Sequence, residues 1–225
     1  MIGAFALAGV LPNLAGAGSS EVVRTSLILT LLAILPAVLI SMTSFVRIVI
    51  TLSMVRHAFG MPETPPNPVL ISLALFLTAF SMAPTLERLN GGALQPFLAG
   101  RISTDQALAR GGAPLRDFML AQTRDADIEA VYALSRTPVP SRPDQVDIFK
   151  LAPAFIMNEL RVSFTIGFII LLPFLLIDLV VSAILLALGM MMVPPTTISL
   201  PIKLLMFILI DGWSLVIRGV LGSFR

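Results

Sequence analysis

Cysteine is absent from the 225-residue sequence, and histidine and lysine are almost absent. Without cysteine the chain has no disulfide bonds, thiolate zinc sites or thiol nucleophile. The single histidine, His57, cannot by itself form a metal cluster or a Ser-His-Asp triad. Lys150 and Lys203 are the only lysines, and neither lies in a G-x-x-x-x-G-K-[ST] phosphate loop. We therefore expect no enzyme activity, no metal and no cofactor.

Charge is also scarce, because 12% of the residues are charged whereas soluble domains have about 25%. Hydrophobic residues make up 56% of the chain and the mean hydropathy is +0.95. A chain of this composition cannot cover itself with polar surface, so much of it must face lipid or other protein. The net charge of +2 gives no reason to expect nucleic acid as a partner. The composition therefore predicts a membrane protein in contact with lipid.

Two apolar segments in the first third of the chain predict a helical hairpin. Residues 26–55 exceed the roughly 20 residues that a bilayer requires, so either the helix is tilted and bent at Pro36, or part of it lies in protein rather than lipid. A cluster of proline and glycine after this segment predicts a turn. Residues 69–83 form the second apolar segment, and we expect Pro84 to end it.

Two further apolar segments, residues 151–188 and 202–217, predict a second hairpin. We expect the first of them to end at the paired prolines that begin at Pro194, and the second to break at Asp211. The loop between them carries three consecutive methionines, which in isolation read as ordinary apolar residues at a helix end. No segment alternates with a period of two, so the prediction is an all-α fold.

The polar middle of the chain, with its immediate flanks, holds eighteen of the 28 charged residues. Ser103 and Gln106 have the spacing of a capping box and predict a helix start. We expect this short helix to stop at Gly111-Gly112, and a second amphipathic helix to run from Pro114 to about Ser135. A proline-rich stretch after it predicts an extended connector. This part of the chain should face water.

The predicted organisation has four parts. The first eighteen residues have a small-x-small pattern but no basic stretch before it, so a signal peptide and an apolar tail both remain open. These residues, 1–18, are the first part. The other parts are a first apolar hairpin (residues 19–84), a polar helical insert (residues 85–150), and a second apolar hairpin with the methionine loop (residues 151–225).

Three charged residues, Arg47, Asp178 and Asp211, interrupt the apolar segments. Each would cost about 2.5–3.5 kcal/mol in lipid, so each must be paired or face protein or water. A basic partner shared by the two aspartates, such as Arg47 or Lys203, is the simplest arrangement. We favour structural links between helices over a proton path. An intramembrane aspartyl protease is disfavoured because such enzymes resemble one another through Gly-x-Gly-Asp, whereas here the glycine follows Asp211.

Several short strings resemble one known family, in the same order along the chain from about residue 31 to near its end. They are residues 43–47 (TSFVR), 65–67 (PPN), 73–78 (LALFLT), 95–97 (QPF), 114–119 (PLRDFM), 177–180 (IDLV), 189–195 (GMMMVPP) and 211–213 (DGW). They resemble the FliP family, the flagellar branch of the FliP/SctR export-gate proteins. His57 and Asn158 depart from the pattern of that branch, which more often has asparagine and serine there.

The resemblance implies a core subunit of the flagellar type III protein export gate, in the inner membrane of bacteria at the flagellar basal body. It also implies a helical, cone-like oligomer formed with further copies of the chain, FliQ and FliR. FliO would assist assembly, FlhA and FlhB would be neighbouring export proteins, and unfolded flagellar proteins would pass through. Much of such a gate rises above the membrane plane. The alternatives are a virulence-type, SctR-like gate subunit, a proton-coupled secondary transporter and a purely structural scaffold.

The resemblance also assigns roles to individual residues. Met190, Met191 and Met192 match the methionine loop that serves as the gasket of the closed pore. Charged residues match positions for subunit pairing or gating, and these are Glu159, Arg161, Asp178, Asp211 and Arg47. Of these, Glu159 matches an acid that pairs within or between subunits, and the two aspartates match buried acids.

Overall fold

The computed structural model describes residues 19–61 and 63–224, and for part of the first helix it describes the backbone alone. The possible signal peptide or apolar tail at residues 1–18 lies outside the described residues. The chain divides between Leu39 and Ile40 into two compact units. Every regular element in the described ranges is a helix, which confirms the all-α prediction.

The first two helices are α1 (Ser19–Met42) and α2 (Phe45–Ala58). Pro36 lies inside α1, which continues for six more residues, so this proline does not end the helix. The chain instead breaks at Thr43-Ser44, where the Thr43 hydroxyl accepts a hydrogen bond from the Phe45 amide at 3.3 Å. A side chain that bonds locally to the backbone in this way competes with the helix ladder.

Helix α3 (Asn67–Leu89) begins directly after the predicted turn. Pro84 does not end it, contrary to the prediction. The chain continues through a π-helical turn (Asn90–Leu94) into the short helix α4 (Gln95–Leu98). Pro84 lies at an exposed position within α3, and its missing amide removes one hydrogen bond from the helix.

The polar insert contains α5 (Thr104–Gln122) and α6 (Asp125–Leu134). The capping box at Ser103 is present, with hydrogen bonds in both directions between Ser103 and Gln106. The predicted stop at Gly111-Gly112 is wrong, because α5 runs through both glycines and ends eleven residues further on. A Cβ on Gly111 would lie 3.6 Å from the Ala93 Cβ, an ordinary van der Waals contact, so this position faces the π-helical turn from within a continuous helix.

The longest helix, α7 (Ile148–Ala187), has 40 residues and follows a connector that contains one 3-10 turn (Pro143–Gln145). The Asp147 carboxylate caps its start by accepting the Phe149 amide at 2.9 Å. The helix ends before the methionines, where Gly189 has a left-handed φ of 73°. Helix α7 thus ends with the predicted apolar segment at residues 187–188, because a glycine that tolerates positive φ turns the chain before Pro194 and Pro195 are reached.

Two shorter helices complete the fold, α8 (Pro195–Leu209) and α9 (Gly212–Leu221). Pro195 occupies the first turn of α8, where its missing amide leaves no hydrogen bond unmade. The predicted break at Asp211 is present, and this residue has a left-handed φ of 50°. The axes of α8 and α9 differ by 67° across it.

Two helices in the described residues are long and apolar enough to cross a membrane, namely α3 with its continuation (Asn67–Leu98) and α7. The number rises to four if each of two bent pairs counts as one span. The bent pairs are the end of α1 with α2, and α8 with α9. The four apolar segments predicted from hydropathy thus correspond to between two and four possible spans.

Helix α7 contributes to two separate hydrophobic clusters. Its middle packs with α2, α3, α8 and α9 around a group of edge-on aromatic rings that includes Phe59, Phe174 and Phe207. Its first turns pack with α5 and α6 around Phe118 and Phe155. This long helix therefore joins the polar insert to the apolar hairpins, and it carries Glu159, Arg161 and Asp178.

Candidate functional site

The most deeply buried charges are Arg47 on α2 and Glu159 on α7, whose side chains are 1% and 0% exposed. The Arg47 Nε donates to Glu159 Oε2 at 2.8 Å, and Arg47 Nη2 donates to Oε1. The two residues form a bidentate ion pair between helices. The prediction that Arg47 serves the aspartates at 178 and 211 is therefore wrong, because its guanidinium is occupied by an acid on the third apolar segment.

The remaining donors of Arg47 are also satisfied. Its Nη1 donates to the backbone carbonyl and the hydroxyl of Ser223, at 2.9 and 3.0 Å, and its Nη2 donates to the Gln122 amide oxygen at 3.3 Å. The ring of Phe224 lies 4.0 Å from the guanidinium carbon. One arginine thus links α2, the end of α5, α7 and the segment after α9, and a charge buried this deeply needs such a complete set of partners.

Asn158 stands beside this ion pair and connects the same elements. Its side-chain amide donates to the Gln122 carbonyl at 2.6 Å. Asn158 thus adds a polar contact between α7 and the end of α5.

Arg161, two residues beyond Glu159, pairs with Asp127, an acid that the sequence did not single out. Its guanidinium donates to both carboxylate oxygens of Asp127 on α6, at 2.7 and 2.9 Å, and Arg124 adds a contact of 3.2 Å. The hydrogen bonds from Arg161 lower the pKa of Asp127 from 3.8 to about 2, although burial opposes this. The pair joins the polar insert to the long helix.

Asp178 on α7 pairs with Lys203 on α8, and the Lys203 Nζ lies 2.6 Å from the Asp178 Oδ2. Lys203 also donates to the backbone carbonyl of Ala58 at 3.3 Å. The lysine side chain is 6% exposed and the aspartate 35%. Of the two basic partners considered from the sequence, Lys203 is the one that the structure places against Asp178.

Asp211 does not share this partner, contrary to the expected arrangement. Its side chain is exposed and makes no capping hydrogen bond to α9, although the residue occupies the cap position. The burial that the resemblance implies for this acid in an assembled gate stays a prediction. Asp211 serves instead as the point where the backbone turns between α8 and α9.

The three methionines lie in the loop between α7 and α8. Backbone hydrogen bonds close the turn, including one from the Met190 amide to the Leu185 carbonyl at 2.9 Å. Exposure of the side chains increases along the loop, from 43% for Met190 to 80% for Met191 and 97% for Met192. The loop thus has a fixed backbone start and presents three flexible apolar side chains at the tip of a hairpin.

Sequence reasoning also missed Arg56 at the end of α2. Its Nη1 donates to the Asn67 side chain at 2.6 Å and to the Pro65 carbonyl at 3.3 Å. The residue is buried, and the positive end group lies near the negative end of the α2 dipole. Asn67 belongs to the PPN string, so that string could have indicated a partner for the arginine.

Apolar helices of membrane length, ion pairs that connect them, and an exposed apolar loop at a hairpin tip define an all-α membrane protein. A model described as the FliP family matches residues 28–220. The chain belongs to the FliP family.

Relatives in several bacteria carry the name flagellar biosynthetic protein FliP. The protein from Pectobacterium carotovorum is 49% identical over 95% of this chain and 83% of its own length. The protein from Bacillus subtilis is 44% identical over 91% of this chain and 93% of its own. A protein from Buchnera aphidicola is 48% identical over 90% of this chain, which spans 56% of that longer relative.

Proposed function

We propose that this chain, a FliP-family subunit of the flagellar export gate, forms with FliQ, FliR and further copies of itself the channel for unfolded flagellar proteins. The observation that carries the proposal is the family match over residues 28–220. The names of the relatives favour the flagellar over the virulence-type gate. The channel would lie in the inner membrane at the flagellar basal body, with FliO assisting assembly and FlhA and FlhB as neighbours.

The distribution of apolar surface supports an assembled subunit. Large apolar side chains remain exposed along both faces of α7 in the single chain, more than one packed neighbour can cover. They are Phe164, Phe168, Ile169, Leu172, Leu175, Leu176, Leu179, Val180, Ile184 and Leu186. Lipid and neighbouring subunits, including FliQ and FliR, are the surfaces that would cover them in the proposed helical, cone-like gate.

Within this gate, Met190, Met191 and Met192 act as the gasket. Repeated around the axis of an oligomer, three exposed thioether side chains per copy converge on a narrow apolar constriction. Such a constriction excludes ions and water by dewetting rather than by charge. Methionine side chains are flexible, so the closure can yield to an unfolded chain whose side chains vary along its length.

The test replaces all three methionines with alanine and measures membrane leakage and secretion of flagellar proteins in the same cells. We expect assembled complexes in normal amounts, together with increased leakage of ions and small solutes. A matched control is Met157→Ala, because Met157 lies on α7 outside the loop and is as exposed as Met190. Normal assembly of the triple variant with no added leakage would show that these methionines are ordinary residues at a helix end.

A further inference from the structure

The Asp178–Lys203 ion pair occupies matching positions on the two arms of the methionine hairpin. Asp178 lies nine residues before the last residue of α7, and Lys203 lies eight residues after the first residue of α8. At 1.5 Å per residue, both lie about 12–14 Å along their helices from the loop. The pair therefore connects the two arms at one level instead of joining distant parts of the fold.

Lys203 reaches a third element from the same place. Its ammonium group donates to the carbonyl of Ala58, the last residue of α2. The final carbonyls of a helix have no partner within the helix, and a cation beside them is favourable. Asp178, Lys203 and the Ala58 carbonyl together form what we call the hairpin clasp. It attaches the hairpin to α2.

The clasp lies at one edge of the hydrophobic core that contains Phe174 and Phe207, and this edge is the one that faces the methionine loop. The members of that core on α7 are at positions 166, 170, 171 and 174, and those on α8 are at positions 204, 206 and 207. All of them lie on the side of the clasp away from the methionines. Between the clasp and the loop, the buried residues of the two arms are Val181, Leu185 and Ser199, and none of them belongs to this core.

The end of the hairpin, residues 179–202, thus extends beyond the core that holds its base. The aromatic rings of Phe174 and Phe207 are one turn from the clasp residues on the core side, with Phe59 between them. The last polar contact that the described residues show between α2 and the hairpin, moving toward the loop, is the one made by Lys203. The tip is held in place through the clasp.

We propose that Asp178 and Lys203 are positioning residues for the methionine gasket, fixing the position of the hairpin tip through the Ala58 carbonyl. This rests on the proposed gasket function of the loop. With the lysine charge removed, the two arms and α2 lose their common contact, and the tip occupies a wider range of positions. The three methionines of neighbouring copies then meet less often at the axis.

The chain has no cysteine, so Met191→Cys introduces the only thiol. In the assembled gate, oxidant-driven disulfide formation between neighbouring copies then reports how often the tips meet. We expect Lys203→Met, which keeps the length of the side chain and removes the charge, to slow this crosslinking several-fold and to increase ion leakage. Lys203→Arg keeps the charge and the length of the side chain, so its crosslinking rate and its ion leakage should both be close to those of the parent. Arg142→Gln, which breaks an exposed ion pair in the connector, is the matched control.

The possible outcomes distinguish failure of the clasp proposal from failure of the gasket proposal. Crosslinking in Lys203→Met at the rate of the parent, in complexes assembled to the same extent, would overturn the clasp. Absence of crosslinking in the parent Met191→Cys complex would overturn the gasket itself and the clasp with it. Where Lys203→Met fails to assemble, Asp178→Asn replaces it, because the amide keeps the shape of the carboxylate. If both variants fail to assemble, the ion pair is required for folding, and this result would overturn a positioning role.

Discussion

At the scale of single residues, the charges of this chain serve mainly to connect helices. Arg47 on α2 contacts three other segments, and among the described residues Glu159 is its only acidic partner. Replacing a buried ion pair as a whole can be neutral, but removing one partner leaves a buried charge without compensation, at a cost of about 3–5 kcal/mol. The effect of a substitution at this pair therefore depends mainly on whether it leaves an unpaired charge buried.

Glu159→Ala should lower the yield of assembled gate and its tightness to ions far more than Arg142→Ala. The first variant leaves the Arg47 guanidinium buried, whereas Arg142 and its partner Asp144 are both largely exposed, and such pairs contribute about 0–1 kcal/mol. Complex yield, ion leakage and motility measure the difference. Equal values for the two variants would contradict a structural role for the Arg47–Glu159 pair.

The Asp127–Arg161 pair should make the polar insert sensitive to acid. The pKa of Asp127 is lowered to about 2 in the folded chain, so its stabilising contribution is complete above the unfolded value of 3.8 and is lost as the pH falls from 3.8 toward 2. The full contribution is about 2 kcal/mol or less, since Arg161 is partly exposed. Thermal unfolding in detergent between pH 5 and 2 measures it. Asp127→Asn should unfold at a lower temperature at pH 5 and should lose less stability over this range.

At the scale of secondary structure, close packing decides where helices meet and turn. Gly212 begins α9 directly after the left-handed Asp211 and lies against the Phe207 ring of α8. A Cβ at Gly212 would lie 2.1 Å from two ring carbons of Phe207, far closer than atoms can approach. Phe207 is itself held by Phe59 and Trp213, so the ring cannot move without disturbing the core.

Gly212→Ala should therefore destabilise the protein by about 1–3 kcal/mol, the range for overpacked cores. Gly219→Ala on the same helix is the control, because no atom lies within 4 Å of its Cβ position. Alanine there should be neutral or should stabilise the helix by up to about 1 kcal/mol. Comparison of the two melting temperatures in detergent checks both expectations. A milder effect at Gly212 than at Gly219 would show that α8 and α9 do not pack as described.

At the scale of the whole molecule, the structured residues from Ile40 onward combine a well-packed interior with a large apolar exterior. The interior holds the aromatic cluster and the buried ion pairs, while α7 remains exposed along much of its length. In water such a surface would aggregate, so it must be covered by lipid or by other protein. The proposed gate satisfies this requirement, because it places copies of the same subunit side by side with their loops toward a common axis.

The sequence by itself determined the features that depend on local chemistry. Apolar segments without alternation predicted helices, the spacing of Ser103 and Gln106 predicted a cap that is present, and short strings indicated the family. These features require only neighbouring residues to be known. The prediction of Asp211 as a break point succeeded for the same reason.

Tertiary structure alone decided which charges pair and which helix breakers act. Arg47 and Glu159 are 112 residues apart, and although the resemblance marked both as pairing charges, only the fold shows that they pair with each other. Pro84 and Gly111 both lie inside helices that continue past them. Whether a breaker ends a helix depends on what packs against it, and packing joins residues that the sequence keeps far apart.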